Sequence, residues 1–454
     1  MKWFFPRKKE KEFFVSLDIG SQAIKSLIFK KEKEKFFILK SFLEYFEKDE
    51  DLEIEIIKKN LSFAAAWIKE EKGKIKSLII GLPPHALKEK IYHQFLIRES
   101  ETEIIKEKEK NEIYQKIFQR TKKQVSQKLA GDFGILPEDF HFLSLRVLEI
   151  KINGYEIPVL EGYQGKNLEF KILAAFLPKV CFENHQKIFK ELNFRGEEGL
   201  SYLSQTQGLI SFVENNERSD GIYLDIGAKL TKIFIFKNKK IEALDEFPVG
   251  ANFFDEKLSQ KLAMRLKEAR ILKEKYSKKL LSLETTNKIK EFFSFEKNEW
   301  FKNLKIKLAE MTQIKIFPST IFIFGGGSLL EEIKEILENG DWQEFFFIDG
   351  PKVKFIYPSA AKGGDEGEAL SDYPSAAKGG DEGEALSDYP RAAKGGDEGE
   401  ALSDYPSAAR GGEEGIFFDY SENFKNIEKI NKKDFNNPQY TPNFLFLLDY
   451  EKKT

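Results

Sequence analysis

Apolar residues at the start of this chain fall in short blocks broken by glycine turns, the spacing of strands rather than helices. Phe13-Phe14-Val15-Ser16-Leu17-Asp18-Ile19 reads as a buried strand, Gly20-Ser21 as a tight turn, and Lys25 through Ile28-Phe29 as a returning strand. A lysine-rich hairpin, Lys30 to Lys35, leads into a third strand, so residues 13–45 are expected as a meander. The same pattern recurs 207 residues later in Ile222-Tyr223-Leu224-Asp225-Ile226-Gly227-Ala228-Lys229, running through Thr231 to Ile235-Phe236 and the hairpin Lys237 to Lys240. A second meander is therefore expected over 220–248. A chain that builds one hairpin twice is expected to hold two related domains facing each other.

Between the meanders, Leu52, Ile56, Leu61, Ala65 and Ile68 recur at helical spacing over 52–70, and Lys76 to Leu82 is a strand stopped by Pro83-Pro84. Residues 101–130 predict a long charged helix, followed by strands His141–Ile152 and Leu168–Leu177. This αββ block, 96–180, reads as a subdomain inserted into the first domain (13–95 and 181–215), which helices at about 183–192 and 200–214 complete. The second domain, 216–356, is expected to hold helices over 253–280 and 284–311 and a strand from Ile314 to Phe324. That strand runs into Gly325-Gly326-Gly327-Ser328 and a helix Leu329–Glu338, with a Ser328/Glu331 capping box and a stop at Gly340. Lys352–Tyr357 is a further strand, and 416–454 finish that domain.

Composition changes this picture at one place. Residues 357–415 are a tandem repeat of period 16 starting at Tyr357, Tyr373 and Tyr389, with a truncated copy from Tyr405. Each copy is rich in glycine and charge and has too little apolar surface to offset its ordering entropy. It is expected as a disordered insertion, or as a flexible partner-binding loop. It carries a net −9 of a whole-chain −2, so the remainder is +7 and favours an anionic surface. The N-terminal tail, 1–12, is charged as well. The single cysteine, Cys181, excludes a disulfide framework or a cysteine-based metal site and fits a reducing compartment. The histidines (His85, His93, His141, His185) lack metal-ligand spacing. No apolar run approaches the ~20 residues of a membrane span, and Trp3-Phe4-Phe5 is too short for a signal peptide. No nucleic-acid partner is expected.

An Asp-x-Gly turn at a strand end has a chemical use. Glycine lets the backbone approach a phosphate and adopt positive φ, and successive N–H groups with the Ser21 hydroxyl can donate to phosphate oxygens. Lys25, seven residues after Asp18, would reach the same phosphates as a point charge. Asp18 would instead hold a hydrated Mg2+, which favours one or two carboxylates plus water and phosphate oxygens. Asp225, Gly227 and Ala228 offer the same groups from the opposite wall, with Lys229 and Thr231 as polar additions. Asp18 and Asp225 are thus the candidate metal residues, through water, and Gly20 belongs with them. One such turn alone is an ordinary β-turn; the duplication is what points to a ligand gripped from two sides. Gly325, Gly326, Gly327 and Ser328 open a helix and would suit a base and ribose lying against bare backbone, though alone they serve equally as a strand-to-helix turn.

In this order (phosphate turn, inserted αββ block, second phosphate turn, Gly-Gly-Gly-Ser) the motifs resemble the actin-like ATPase superfamily, and within it the bacterial FtsA and PilM group. The fold implied is α/β, a two-domain actin-like (ribonuclease H-like) ATPase fold with an inserted αββ subdomain. Pro248-Val249-Gly250 resembles the family's turn after the second phosphate hairpin, and Ala269 through Lys273, then Tyr276, its Ala-Glu-x-x-Lys nucleotide helix. From that helix Glu268 and Lys273 carry over as nucleotide contacts, although Arg270 stands where the family has its glutamate. Ala251 replaces a second glycine, and Ser204-Gln205 lies where many members carry a water-activating Glu or Gln. Lys151 to Glu169 resembles the FtsA insert, Asn437 to Pro442 resembles a terminal Pro-x-Tyr segment, and the Asp18-to-Lys25 spacing is closer to PilM.

The resemblance implies ATP and Mg2+ as ligands, with binding better supported than brisk hydrolysis. For an FtsA-like protein it implies contact with the C-terminal tail of FtsZ, self-association into filaments, and a peripheral place on the cytoplasmic face of the membrane. The alternative is a PilM-like pilus-assembly protein; a sugar-kinase-type phosphotransferase would need a carboxylate motif not found here. A counterpart of FtsA's C-terminal amphipathic anchor is not expected, with six residues after Leu448, and Phe444 to Leu448 is expected in the core. Trp3, Phe4 and Phe5 with Arg7, Lys8, Lys9 and Lys11 offer a substitute contact with anionic lipid over residues 3–11, or else a frayed tail.

Overall fold

The computed structural model describes residues 11–32, 35–46, 53–84, 86–133, 136–191, 200–214, 220–357, 416–417, 442–443 and 445. The 16-residue repeat beyond Tyr357, the aromatic tail before Lys11 and most of the Asn437 to Pro442 segment lie outside the described residues.

The first meander is β1 (Lys11–Ile19), β2 (Ala23–Glu32) and β3 (Lys35–Tyr45). Helix α1 (Glu53–Glu70) returns the chain to β4 (Gly73–Gly81), which pairs parallel with β1. An inserted block follows: β5 (Lys88–Ile97), α2 (Glu107–Phe133), β6 (Phe140–Ile152), β7 (Tyr155–Ile157) and β8 (Asn167–Pro178). Then α3 (Lys179–Glu191), β9 (Leu200–Leu203) and α4 (Gln205–Glu214) close the first half. The second half repeats the plan with β10 (Gly221–Ile226), β11 (Thr231–Lys237) and β12 (Lys240–Phe247). Helices α5 (Asn252–Leu262), α6 (Leu266–Ser277) and α7 (Leu283–Glu310) lead to β13 (Thr320–Phe324), a 3-10 turn (Gly326–Leu329), α8 (Glu331–Asn339), β14 (Lys352–Tyr357) and β15 (Ile416–Phe417).

The two halves share a sheet order over five strands, β3-β2-β1-β4-β9 and β12-β11-β10-β13-β14, with β15 added at the edge of the second. In each, an antiparallel meander is extended by parallel strands beside its first strand. β1 and β10 sit inside their sheets with both faces covered, which is why Phe13 to Ile19 and Gly221 to Ile226 are buried without alternation. One core is shared by the two sheets: Phe14, Phe29 and Ile79 from the first join Tyr223, Phe234 and Phe322 from the second around α4, whose residues Gln205 to Val213 are all buried. Gly208 lets α4 close on Leu445, because a Cβ there would stand 2.0 Å from the Leu445 carbonyl oxygen. Asn443 donates to the carbonyls of Ser16 and Lys25, so this late segment reaches the first meander. Leu445, from the apolar run expected in the core, is fully buried.

Several expectations are corrected. The inserted block gains β5, so its sheet is four-stranded (β5-β8-β6-β7) rather than αββ. β5 also packs beside β12, with Lys88 paired to Glu246. Residues 200–203 are a strand parallel to β4, not the first turn of α4. The helix expected over 253–280 is two helices, broken where Ala263 turns left-handed at φ 50°. Only residues 320–324 of the expected Ile314–Phe324 strand pair in the sheet. The Ser328/Glu331 capping box is not formed: Ser328 lies in the 3-10 turn with its hydroxyl donating to the Gly325 carbonyl at 2.7 Å, and Leu330 is the N-cap of α8. Gly340 does end α8.

Candidate functional site

Asp18 and Asp225 stand at matching places, near the ends of β1 and β10, 6% and 8% exposed. In both hairpins the glycine two residues later donates its N–H to the carbonyl three residues on, Gly20 to Ala23 and Gly227 to Leu230, each at 3.0 Å. Neither glycine has positive φ. Their requirement is space, since a Cβ would stand 2.7 Å from the Ala23 oxygen and 3.0 Å from the Leu230 oxygen. These two N–H groups close the turns, and the positive φ expected of such glycines is not what the turns use. The turns meet: the Lys229 N–H donates to Ser21 Oγ at 3.3 Å. Two acidic corners thus face each other between the lobes.

Register explains the lysines. Asp18 is directly opposite Lys25 across β1 and β2, and Asp225 is directly opposite Lys232 across β10 and β11. Side chains so placed share a face of the sheet and touch. Lys25 Nζ lies 2.7 Å from Asp18 Oδ2. Lys232 was not singled out by sequence, which chose its neighbours Lys229 and Thr231. The signal was present, because Asp225 to Lys232 repeats the seven-residue spacing of Asp18 to Lys25. Lys232 is buried and turns to Glu89 of β5, Nζ to Oε2 3.2 Å. Burial would lower its pKa, but Glu89, Glu246 and Asp225 together raise it. Burial pushes the Asp225 carboxyl up to about 6, with Gln205, Lys232 and Lys25 pulling it back.

The third glycine motif completes the second corner. Gly325 has φ +85°, and a Cβ there would stand 2.4 Å from Asp225 Oδ1. Gly327 is packed as tightly, 2.4 Å from Ile226 Cγ2, whereas a Cβ on exposed Gly326 would meet nothing within 4 Å. Gly326 is the open backbone beside the carboxylate, where a flat ligand can approach. Gly250 is likewise fixed, by the Gly227 and Ala228 oxygens at 2.5 Å.

Other residues expected in the site are occupied elsewhere. Thr231 is fully buried, donating to the Val249 carbonyl at 2.7 Å and accepting from Trp300 Nε1, so its hydroxyl ties the corner to α7. Lys273 donates to the Ala251 carbonyl and pairs with Asp255, both at 2.8 Å. Burial lowers the Lys273 pKa and raises that of Asp255. Glu268 is spent on Arg265 at the exposed start of α6. Arg270 instead crosses the cleft, donating to the Phe46 carbonyl at 3.2 Å with its guanidinium 5.0 Å from the Tyr45 ring centre.

The donor set suits a hard cation shared with a ligand. Two carboxylates from facing corners supply oxygen, and Asp225 carries a buried carboxyl held toward neutrality by burial, which added positive charge would reverse. Among the described residues no group of three or more His, Cys, Asp or Glu could cage a metal, so water and phosphate oxygens would complete the shell.

The family model described as Cell division protein FtsA matches residues 222–364, a stretch taking in Asp225, Lys232 and Gly325 to Ser328. No curated protein matches the chain. Among solved structures, a chain of the PilM-PilN type IV pilus biogenesis complex is similar at 15% identity, over 75% of this chain and 91% of that chain, with a TM-score of 0.48. The ethanolamine utilization protein EutJ from Carboxydothermus hydrogenoformans is similar at 13% identity over 77% and 86%, TM-score 0.39. A Bacteroides thetaiotaomicron protein with actin-like ATPase fold and unknown function is similar at 9% identity over 76% and 93%, TM-score 0.34. With duplicated sheets and facing acidic corners, this chain has the actin-like ATPase fold, and residues 222–364 of its second half match the FtsA family model.

Proposed function

We propose that the chain binds ATP with Mg2+ between its two corners and serves as an FtsA-like adaptor in bacterial cell division. In this reading it tethers the C-terminal tail of FtsZ to the cytoplasmic face of the membrane and polymerises with itself. The observation that carries it is the FtsA family match over 222–364, which covers one corner and the glycine turn beside it. Asp18 and Asp225 would hold the cation through water, Lys25 and the Ser21 hydroxyl would contact phosphate, and exposed Gly326 would face base and ribose. A bound Mg2+ supplies charge neutralisation for the phosphate chain. Nucleotide then tunes assembly, with slow or absent hydrolysis.

Calorimetry of the purified chain tests the nucleotide. Wild type should give heat with ATP and Mg2+, and an Asp18→Asn/Asp225→Asn variant should lose at least about 100-fold in affinity, ~2.7 kcal/mol. No heat from wild type, or unchanged affinity in the variant, ends the reading. The seven-residue spacing from Asp18 to Lys25 favours a second reading, a PilM-like protein binding a short peptide of an inner-membrane pilus partner. Pull-down on an FtsZ-tail peptide against a pilus-partner peptide separates the two. Membrane contact through residues 3–11 predicts that removing residues 2–9 abolishes co-sedimentation with anionic liposomes.

A further inference from the structure

The inserted block reaches the candidate site through one residue. Glu89, the second residue of β5, has a side chain only 2% exposed. Its Oε2 accepts from Thr206 Oγ1 at 2.7 Å and from Lys232 Nζ at 3.2 Å, and its Oε1 accepts from the Ser204 hydroxyl. Ser204 and Thr206 flank Gln205 at the start of α4.

Lys232 stands opposite Asp225 as Lys25 stands opposite Asp18. The same register and the same side-chain length give Lys232 the reach that puts Lys25 Nζ 2.7 Å from Asp18. The difference between the hairpins is Glu89. The other carboxylate near Lys232, Glu246, is already engaged by Lys88.

We propose that Glu89 is a positioning residue for the nucleotide site: by holding Lys232 it keeps Asp225 available to the cation that accompanies a phosphate chain, so that binding depends on Mg2+ at the second corner. This rests on the nucleotide reading above and adds to it a role for the inserted block. An ammonium on Asp225 would compete with the cation for the same oxygens. A neutral amide at position 89 cannot hold Lys232 by charge; of the two remaining carboxylates acting on this lysine, Glu246 is taken by Lys88, which leaves Asp225.

The test is Glu89→Gln, alone and with Lys232→Met, measured by calorimetry of ATP with and without Mg2+. The enhancement of ATP affinity by Mg2+ should fall about tenfold in Glu89→Gln and return when Lys232→Met is added. A merely structural role for Glu89 predicts no such return. A crystal structure of unliganded Glu89→Gln should place Lys232 Nζ within about 4 Å of Asp225. An unchanged Mg2+ enhancement in Glu89→Gln, or Lys232 found away from Asp225, overturns the proposal. Should Glu89→Gln not fold, Thr206→Val, which removes one donor to Glu89, must lower the enhancement about threefold; no change refutes it. If wild type binds ATP and these variants keep its Mg2+ response, the proposal alone falls. If wild type binds no ATP, the nucleotide reading falls and takes the proposal with it.

Discussion

The two acidic corners have one backbone and two charge arrangements. Their strands share register, their glycines close the same turn, and their aspartates are equally buried. Yet Asp18 is clasped by the lysine opposite, whereas the lysine opposite Asp225 is drawn to Glu89, 143 residues away in sequence. A motif therefore sets where a carboxylate stands, and a third group arriving from elsewhere sets whether it is neutralised.

The largest expected effect tests that contrast through stability. The Asp225 carboxyl is raised from 3.8 to about 6, so between those values the folded state holds a proton that the unfolded state has lost. Stability thus falls as pH rises through this window, and the deficit is complete above it. Asp225→Asn should stabilise the unliganded protein at pH 7.5 by up to about 3 kcal/mol, and the gain should vanish below pH ~4. Asp18→Asn should instead destabilise by roughly 1–3 kcal/mol, because it takes the carboxylate from Lys25. Urea unfolding at the two pH values checks both signs; a shift in the same direction for the two variants breaks the comparison.

A smaller effect sharpens the second corner. Gly325→Ala forces a Cβ 2.4 Å from Asp225 Oδ1 at φ +85° and should cost about 1–3 kcal/mol. Gly326→Ala should change stability by less than ~0.5 kcal/mol while weakening ATP binding, read by thermal unfolding and calorimetry together. The smallest effect concerns the link across the cleft. Arg270→Ala removes a guanidinium over Tyr45 and should cost about 0.5–1 kcal/mol in the same unfolding assay.

Legibility followed the range of each cause. Both meanders and the Asp-x-Gly corners were readable because adjacent residues carry the strand pattern and the steric demand of a tight turn; which of the three later glycines stands open was not. Strand β9 was not, since the four residues Leu200-Ser201-Tyr202-Leu203 before a helix are too few to show a period of their own. Strand β5 was hidden because it opens Lys88-Glu89-Lys90, charges that look solvated until Lys88 and Glu89 find partners on other elements. The Ser328/Glu331 box satisfied a local rule, but the turn at Gly325 holds both the N–H and the hydroxyl of Ser328 on the Gly325 carbonyl. Thr231 and Lys273 looked like ligand contacts, and packing spent them on Val249, Ala251 and Asp255.

By itself, then, the chain's order of residues determined two like hairpins with a carboxylate at each corner, because side-chain period and glycine sterics act over a few neighbouring positions. Only the assembled tertiary structure decided which lysine meets which acid, because a buried charge pairs with whatever distant strand or helix delivers beside it.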